Sequence, residues 1–179
     1  MDRCSGVKNL KSNLNSDEVV RALNASMKLA EANNRRREVG FLSQAVIESD
    51  YFRTYQEYGK GKGKDYYPYY GRGIHQLTWK DAYEACSEAV FKDDRLVKDP
   101  DLIIKDIEVN IKATAWFWRD RKPFNALSDK EDLDEIIHRL YGGKITSRRA
   151  KVRKSVRLRR SFYTSIQRIL NEHSAGEAK

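Results

Sequence analysis

Cysteine is nearly missing from this 179-residue chain, with only Cys4 and Cys86 present. So sparse a set excludes a disulfide framework. Two free thiols in a protein made in the cytosol are expected, with one bridge between them left open. The histidines His75, His138 and His173 lie far apart, and no His/Cys cluster has metal-ligand spacing, so neither a metal site nor a cofactor is expected. Three prolines, no low-complexity stretch and no internal repeat leave no room for a linker. The chain reads as one domain over residues 1–179, long enough to bury a core without staples. No run approaches the roughly 18 apolar residues that a membrane helix needs, so no integral membrane segment is expected. The opening Met-Asp-Arg-Cys-Ser-Gly has no apolar run after its charges and does not read as a signal peptide.

Acidic residues are outnumbered, 26 against 35 lysines and arginines, and the resulting formal charge of +9 points to a polyanionic partner. Nucleic acid, an acidic membrane surface and the anionic bacterial wall all qualify. Charge alone does not choose among them.

Apolar periodicity is mostly helical. Val19, Leu23, Met27 and Ala30 predict a helix from about Ser16 to Ala32, and Val39, Leu42, Ala45 and Val46 a second from about Arg36 to Glu48. Residues 51–73, YFRTYQEYGKGKGKDYYPYYGRG, lose the period and read as an irregular segment or a short hairpin. Helix resumes from about Trp79 to Ala89. After Pro100, read as a first-turn residue, a longer helix carries Ile103, Ile107, Ile111 and Ala115 to about Arg121. Ser128 and Glu131 read as a capping box for a helix burying Leu133, Ile136, Ile137 and Leu140, stopped by Gly142-Gly143. A last helix, from about Ser147 to Asn171, turns Val152, Val156, Tyr163, Ile166 and Leu170 inward and is otherwise almost all Arg and Lys. The expected fold is mainly α, broken once by a polar aromatic loop.

Loops held between helices commonly carry function, so the break draws attention first. Glu48 ends an apolar helix directly after Val46-Ile47. Glu57 lies in the loop, with Lys60, Lys62 and Lys64 following. Apolar surroundings would hold Glu48 protonated, and a wetter Glu57 would stay ionised. A carboxyl pair separated in this way is what glycosidic cleavage requires, one to protonate the leaving oxygen and one to activate water. Against this stands the plain alternative that two glutamates among 26 acidic residues are surface charges.

The segments FLSQAVIESDYF, QE and YYGRGIHQLTWKDAY, followed by KDPDLI, ATAWFW, NALSD and IIHRLYGG, occur in that order from about Phe41 to Gly143. This sequence resembles glycoside hydrolase family 19, the chitinase family that includes many phage endolysins. Its members carry an HES- or HET-type helix end, a second loop glutamate and a YYGRGPIQLT-type segment. The resemblance implies a lysozyme-like helical domain with residues 51–73 beside an active-site cleft. It assigns Glu48 as general acid, Glu57 as general base and Thr78 as the hydroxyl that helps hold the attacking water. Gln76 and Tyr70 match residues lining the sugar groove. For Thr78 the alternative is a helix cap before Trp79. Arg72 either pairs with a carboxylate or is solvated, and Gly71 and Gly73 serve backbone geometry.

The chain departs from the family pattern at Ile47, where a histidine is usual, at Ile74-His75 in place of Pro-Ile, and at Ala82 and Tyr141, where asparagines are usual. The family's arginine partner of the acid falls on Arg148 or Arg149. The resemblance implies an inverting peptidoglycan hydrolase, an endolysin-type muramidase cleaving the β-1,4 bond between N-acetylmuramic acid and N-acetylglucosamine. Alternatives are a chitinase, an antibacterial effector with the same chemistry, or a wall-binding protein that has lost catalysis. The basic run SRRAKVRKSVRLRR would favour approach to an anionic wall, or it is simply a solvated face. No recognised nucleic-acid motif accompanies it, so nucleic acid is not expected as the partner. A monomer is expected, acting on the wall in the periplasm after release through a holin lesion or delivery by a secretion machine, with an immunity protein as partner in the effector case.

Overall fold

The computed structural model describes residues 14–141 and 145–177. Cys4 and the Gly142-Gly143 stop lie outside the described residues. Helix α1 spans Ser16–Leu29 and starts where the Asn15 side chain accepts from the Asp17 and Glu18 amides, at 2.8 and 3.4 Å. Helix α2 spans Arg35–Glu48 behind a similar cap, Asn34, which accepts from the Arg37 amide at 3.0 Å. Its inward face, Val39, Phe41, Ser43, Gln44 and Ala45, is buried, so a helix of modest amphipathicity runs through the middle of the molecule. Helix α3 (Lys80–Phe91) follows the irregular segment, then two short helices, α4 (Arg95–Lys98) and α5 (Leu102–Lys105).

The long helix expected after Pro100 is divided. Asp106 adopts an extended backbone, and its side chain accepts from the Glu108 amide at 2.8 Å and the Val109 amide at 3.3 Å. A short side chain that caps so well competes with helix continuation, so a new helix, α6 (Ile107–Trp116), begins after it. A π-type turn, Phe117–Arg121, finishes this element. Pro100 itself lies in the turn before α5.

Ser128 is not a cap. It lies inside helix α7 (Phe124–Asp129), and Asp132 starts helix α8 (Leu133–Tyr141) by accepting from the Glu135 amide at 3.1 Å. Ser128 is fully buried against Gly40 of α2, where an added Cβ would lie 3.2 Å from the Ser128 Cβ. Two small residues there let α7 sit close on α2. Helix α9 (Ala150–Glu177) closes the molecule against α2, with Val152, Val156 and Tyr163 buried and Ile166 and Leu170 half-buried.

The main core gathers Phe41, Ile74, Tyr83, Trp118 and Phe124, all fully buried. A second small cluster, Ile137, Val152 and Val156, ties α8 to α9. Cys86 is buried and free, and burial pushes its thiol up to about 12, so it has little thiolate character. Among the described residues there is no strand. The loop from 51 to 77 has one short 3-10 turn, Tyr58–Gly61, and two isolated antiparallel bridges, Gln56 with Arg72 and Arg72 with Leu77, so the irregular reading holds and the hairpin does not. The architecture is the mainly helical, lysozyme-like domain that the family resemblance implied.

Candidate active site

A cleft of about 750 Å³ is lined by two groups of residues. One is the end of α2 (Ile47, Glu48) with the loop side chains Thr54, Gln56, Glu57, Tyr66, Gln76, Thr78 and Trp79. The other is Phe117, Arg121 and Lys122 with the end of α8 and Lys151, Ser155 and Arg159 of α9. Four of the five residues singled out in the sequence, Glu48, Glu57, Gln76 and Thr78, line this one space.

Glu48 sits at the last turn of α2, half-buried, its side chain 17% exposed. The apolar environment read from Val46-Ile47 is incomplete, because a Glu48 carboxylate oxygen accepts from the guanidinium of Arg159 on α9. Arg159 is 5% exposed and donates its other terminal nitrogen to Gln44 Oε1 at 2.7 Å. Gln44 in turn donates to Ser43 Oγ at 3.1 Å, and Ser43 to the Gly40 carbonyl at 3.0 Å. A buried guanidinium is tolerable only when paired and hydrogen-bonded, and these contacts engage both terminal nitrogens of Arg159 while its Nε is buried without a partner. Arg148 and Arg149, the two candidates for this pairing, are exposed and stand apart from Glu48. The signal for Arg159 was its place on the apolar stripe Val152, Val156, Arg159, Tyr163 of α9, and Gln44 precedes Glu48 by one helical turn.

Glu57 is held from two sides. Tyr66 Oη donates to one carboxylate oxygen at 2.7 Å and the Gly71 amide to the other at 3.0 Å. Burial first, then the bond and charge of Glu57, push the Tyr66 phenol up to about 12, so it stays a donor through the physiological range. Gly71 lies close to Gln76, whose Oε1 would have to move aside for a Cβ at 2.5 Å. The lysines at 60, 62 and 64 are exposed, and their ammonium groups form no ion pair with Glu57 among the described residues.

Arg72 organises the loop behind Glu57. It is 3% exposed, pairs with Asp101 at 2.6 Å and donates to the carbonyls of Pro68 and Tyr70 and to the Tyr83 hydroxyl. Burial alone would raise the Asp101 carboxyl, but Arg72 holds it below its usual range. Tyr70 belongs to this support and not to the cleft lining. It is buried, its ring lies 3.4 Å from the Arg72 guanidinium, and its hydroxyl is occupied by Asp101 and Gln56. A ring packed under a buried cation has no face left for a sugar.

Thr78 Oγ1 donates to the Gln76 carbonyl at 2.8 Å and makes no helix cap, which removes the capping alternative. Gln76, at a positive φ of 55°, donates to the Gly73 carbonyl at 3.0 Å. Ala82 and Tyr141 also line the cleft, where the sequence departs from the family pattern. His75 is buried among Phe41 and Trp118, with ring centroids at 4.5 and 4.9 Å, and serves the core. The exposed indole of Trp79, at the cleft edge and 5.3 Å from the Tyr66 ring, was not singled out in the sequence.

The family profile described as chitinase class I matches residues 26–144. Basic endochitinase B of Arabidopsis thaliana is 37% identical over 75 residues, 42% of this chain and 21% of that protein. Chitinase 8 of Oryza sativa subsp. japonica is 47% identical over 70 residues, 39% and 24% of the two chains. The matched region thus spans about a quarter or less of these curated relatives. The crystal structure of chitinase C from Streptomyces griseus HUT6037 superposes with a TM-score of 0.71 at 21% identity, covering 89% of this chain and 72% of that one. At that identity the likeness shows the fold.

Proposed function

Because the chain belongs to glycoside hydrolase family 19, we propose that it is an inverting glycosidase in which Glu48 is the acid and Glu57 the base. The observation that carries this reading is that both carboxyls line one cleft and each is held in place, Glu48 by Arg159 and Glu57 by Tyr66 and the Gly71 amide. Protonated Glu48 donates to the glycosidic oxygen as the bond to the anomeric carbon breaks. The carboxylate so formed is stabilised in place by Arg159. Glu57 accepts a proton from a water on the opposite face of the sugar, and that water attacks the anomeric carbon. Thr78 helps to hold it. Two carboxyls roughly 6.5–9.5 Å apart leave room for this water. Return of the proton from Glu57 to solvent, and uptake of another by Glu48, resets the site.

The substrate is proposed to be peptidoglycan, cleaved between N-acetylmuramic acid and N-acetylglucosamine in the periplasm of a bacterium with a thin wall. The exposed Lys151, Arg153, Lys154 and Arg157 of α9, the first of them at the cleft, support an anionic polymer. Chitin is the competing substrate, favoured by the names of the relatives. Incubation with purified sacculi and with chitin oligomers tests the choice. Release of reducing ends from sacculi, lost in Glu48→Gln with the fold intact, is the expected result; full activity in that variant, or hydrolysis of chitin alone, overturns it.

A further inference from the structure

The charges lining the cleft are unevenly matched. Of its four carboxylates, Glu48 pairs with Arg159, Asp50 with Arg53 at 3.4 Å and Asp81 with Arg121 at 2.6 Å, while Glu57 is held by the neutral donors Tyr66 and the Gly71 amide. Of its cations, Arg139 bonds Glu135 at 2.7 Å. Lys122 and Lys151 have no ion-pair partner among the described residues, although both line the cleft. Lys151 is exposed, so solvent suffices for it. Lys122 is different. It is half-buried at the end of the π-type turn, its ammonium 6.0 Å from the Phe117 ring centroid. Its backbone carbonyl accepts from Arg139 at 3.4 Å, which holds a second cation beside it. Burial, then the neighbouring charges of Arg121 and Arg139, lower the Lys122 ammonium from its usual value, against an opposing pull from Asp81. Arg121 and Arg139 are each paired with a carboxylate, Asp81 and Glu135, whereas the half-buried Lys122 ammonium has no direct ion pair among the described residues, so an anion arriving with the substrate finds it unengaged.

We propose that Lys122, backed by Arg139 and Lys151, forms a subsite for a carboxylate carried on the muramoyl residue of the glycan, and that this subsite selects charged glycan over neutral chitin. The inference deepens the muramidase reading and rests on it for the identity of the anion's carrier. The carboxylate is supplied by the lactyl ether of a peptide-free residue or by the stem peptide of a substituted one. Either presents the same planar anion to the lysine and its neighbouring guanidinium. One charge-assisted contact at a partly desolvated site is worth on the order of tenfold in affinity.

Binding is measured by calorimetry on Glu48→Gln, which leaves the glycan uncut. Three tetrasaccharides of alternating N-acetylglucosamine and N-acetylmuramic acid are compared: one with free lactyl carboxylates, its methyl ester, and one bearing stem peptides. The expected result is about tenfold tighter binding of at least one charged form than of the ester. Adding Lys122→Met removes that ratio and Lys122→Arg restores it, while Lys151→Met narrows it. Which charged form shows the preference identifies the source of the anion. Equal binding of all three ligands, or a preference that survives Lys122→Met, overturns the proposal. Sacculus hydrolysis by the unaltered enzyme is read separately. A charge preference without hydrolysis upholds the subsite and removes the muramidase reading, whereas hydrolysis without a charge preference does the reverse.

Discussion

Replacing Arg159 by Met tests the polar contact between α2 and α9 that presents Glu48 to the cleft. The substitution keeps the apolar stem but leaves a carboxylate whose side chain is 17% exposed, and a fully buried Gln44, without their shared donor. Breaking a buried pair by removing one partner costs about 3–5 kcal/mol. For a chain of this size that corresponds to a fall in Tm of roughly 10 °C. Combining it with Glu48→Gln separates the ion pair from lost packing, because the double variant carries neither charge. Urea unfolding followed by fluorescence, with Trp118 buried in the main core, gives the four stabilities needed. A coupling energy of about 2 kcal/mol is expected between the two positions. Additivity within about 0.5 kcal/mol would show that Arg159 and Glu48 do not act on each other, and the account of the acid's support would fall.

Three further perturbations follow from the geometry. Burial pushes the His75 imidazole down to about 3, whereas the unfolded chain titrates at roughly 6.5. The unfolded state therefore binds the extra proton below that value, and stability is lost as pH falls from about 6.5 towards 3, by up to roughly 1.4 kcal/mol per pH unit. Denaturant unfolding at pH 7.5 and 5 should show a loss of about 2 kcal/mol that His75→Gln reduces; an equal loss in both proteins refutes the assignment. Thr78→Val removes the hydroxyl but keeps the shape, and should lower kcat about tenfold with the circular dichroism unchanged; an unaltered kcat excludes a role with water. Tyr66→Phe frees one oxygen of Glu57 and should lower kcat by a similar factor, about tenfold, with little change in Tm; full activity would mean that Gly71 alone positions the base.

The elements were legible wherever one face of a helix had to be apolar. The bounds of α1 and α2 and the start of α9 fall within three residues of the periodicity, α9 runs on past the expected end at Asn171 to Glu177, and the break at 51–73 is real. The errors arose where a single polar side chain outweighs periodicity. Asp106 starts a new helix inside an apolar run, and Asp132 takes the capping role that Ser128 was given. At the site, Glu48, Glu57, Gln76 and Thr78 were found through motif order, and they share one cleft. Tyr70 was misplaced because tyrosine suits a sugar face and a buried hydrogen-bonding position equally well. Only the Arg72 and Asp101 contacts distinguish the two. Arg159 was missed because a basic helix suggests a solvated face, while one of its cations falls on the apolar stripe and pairs across 111 residues.

The stereochemistry of the first product bears most directly on the central claim, that two carboxyls act on opposite faces of the sugar with a water between them. Proton NMR during the first minutes of hydrolysis of a β-1,4-linked tetrasaccharide reports the anomer before mutarotation. The α-anomer is predicted, formed by direct attack of the water that Glu57 activates. A β-anomer would mean a covalent glycosyl intermediate or attack from the same face, and would contradict the assignment of Glu57 as a base.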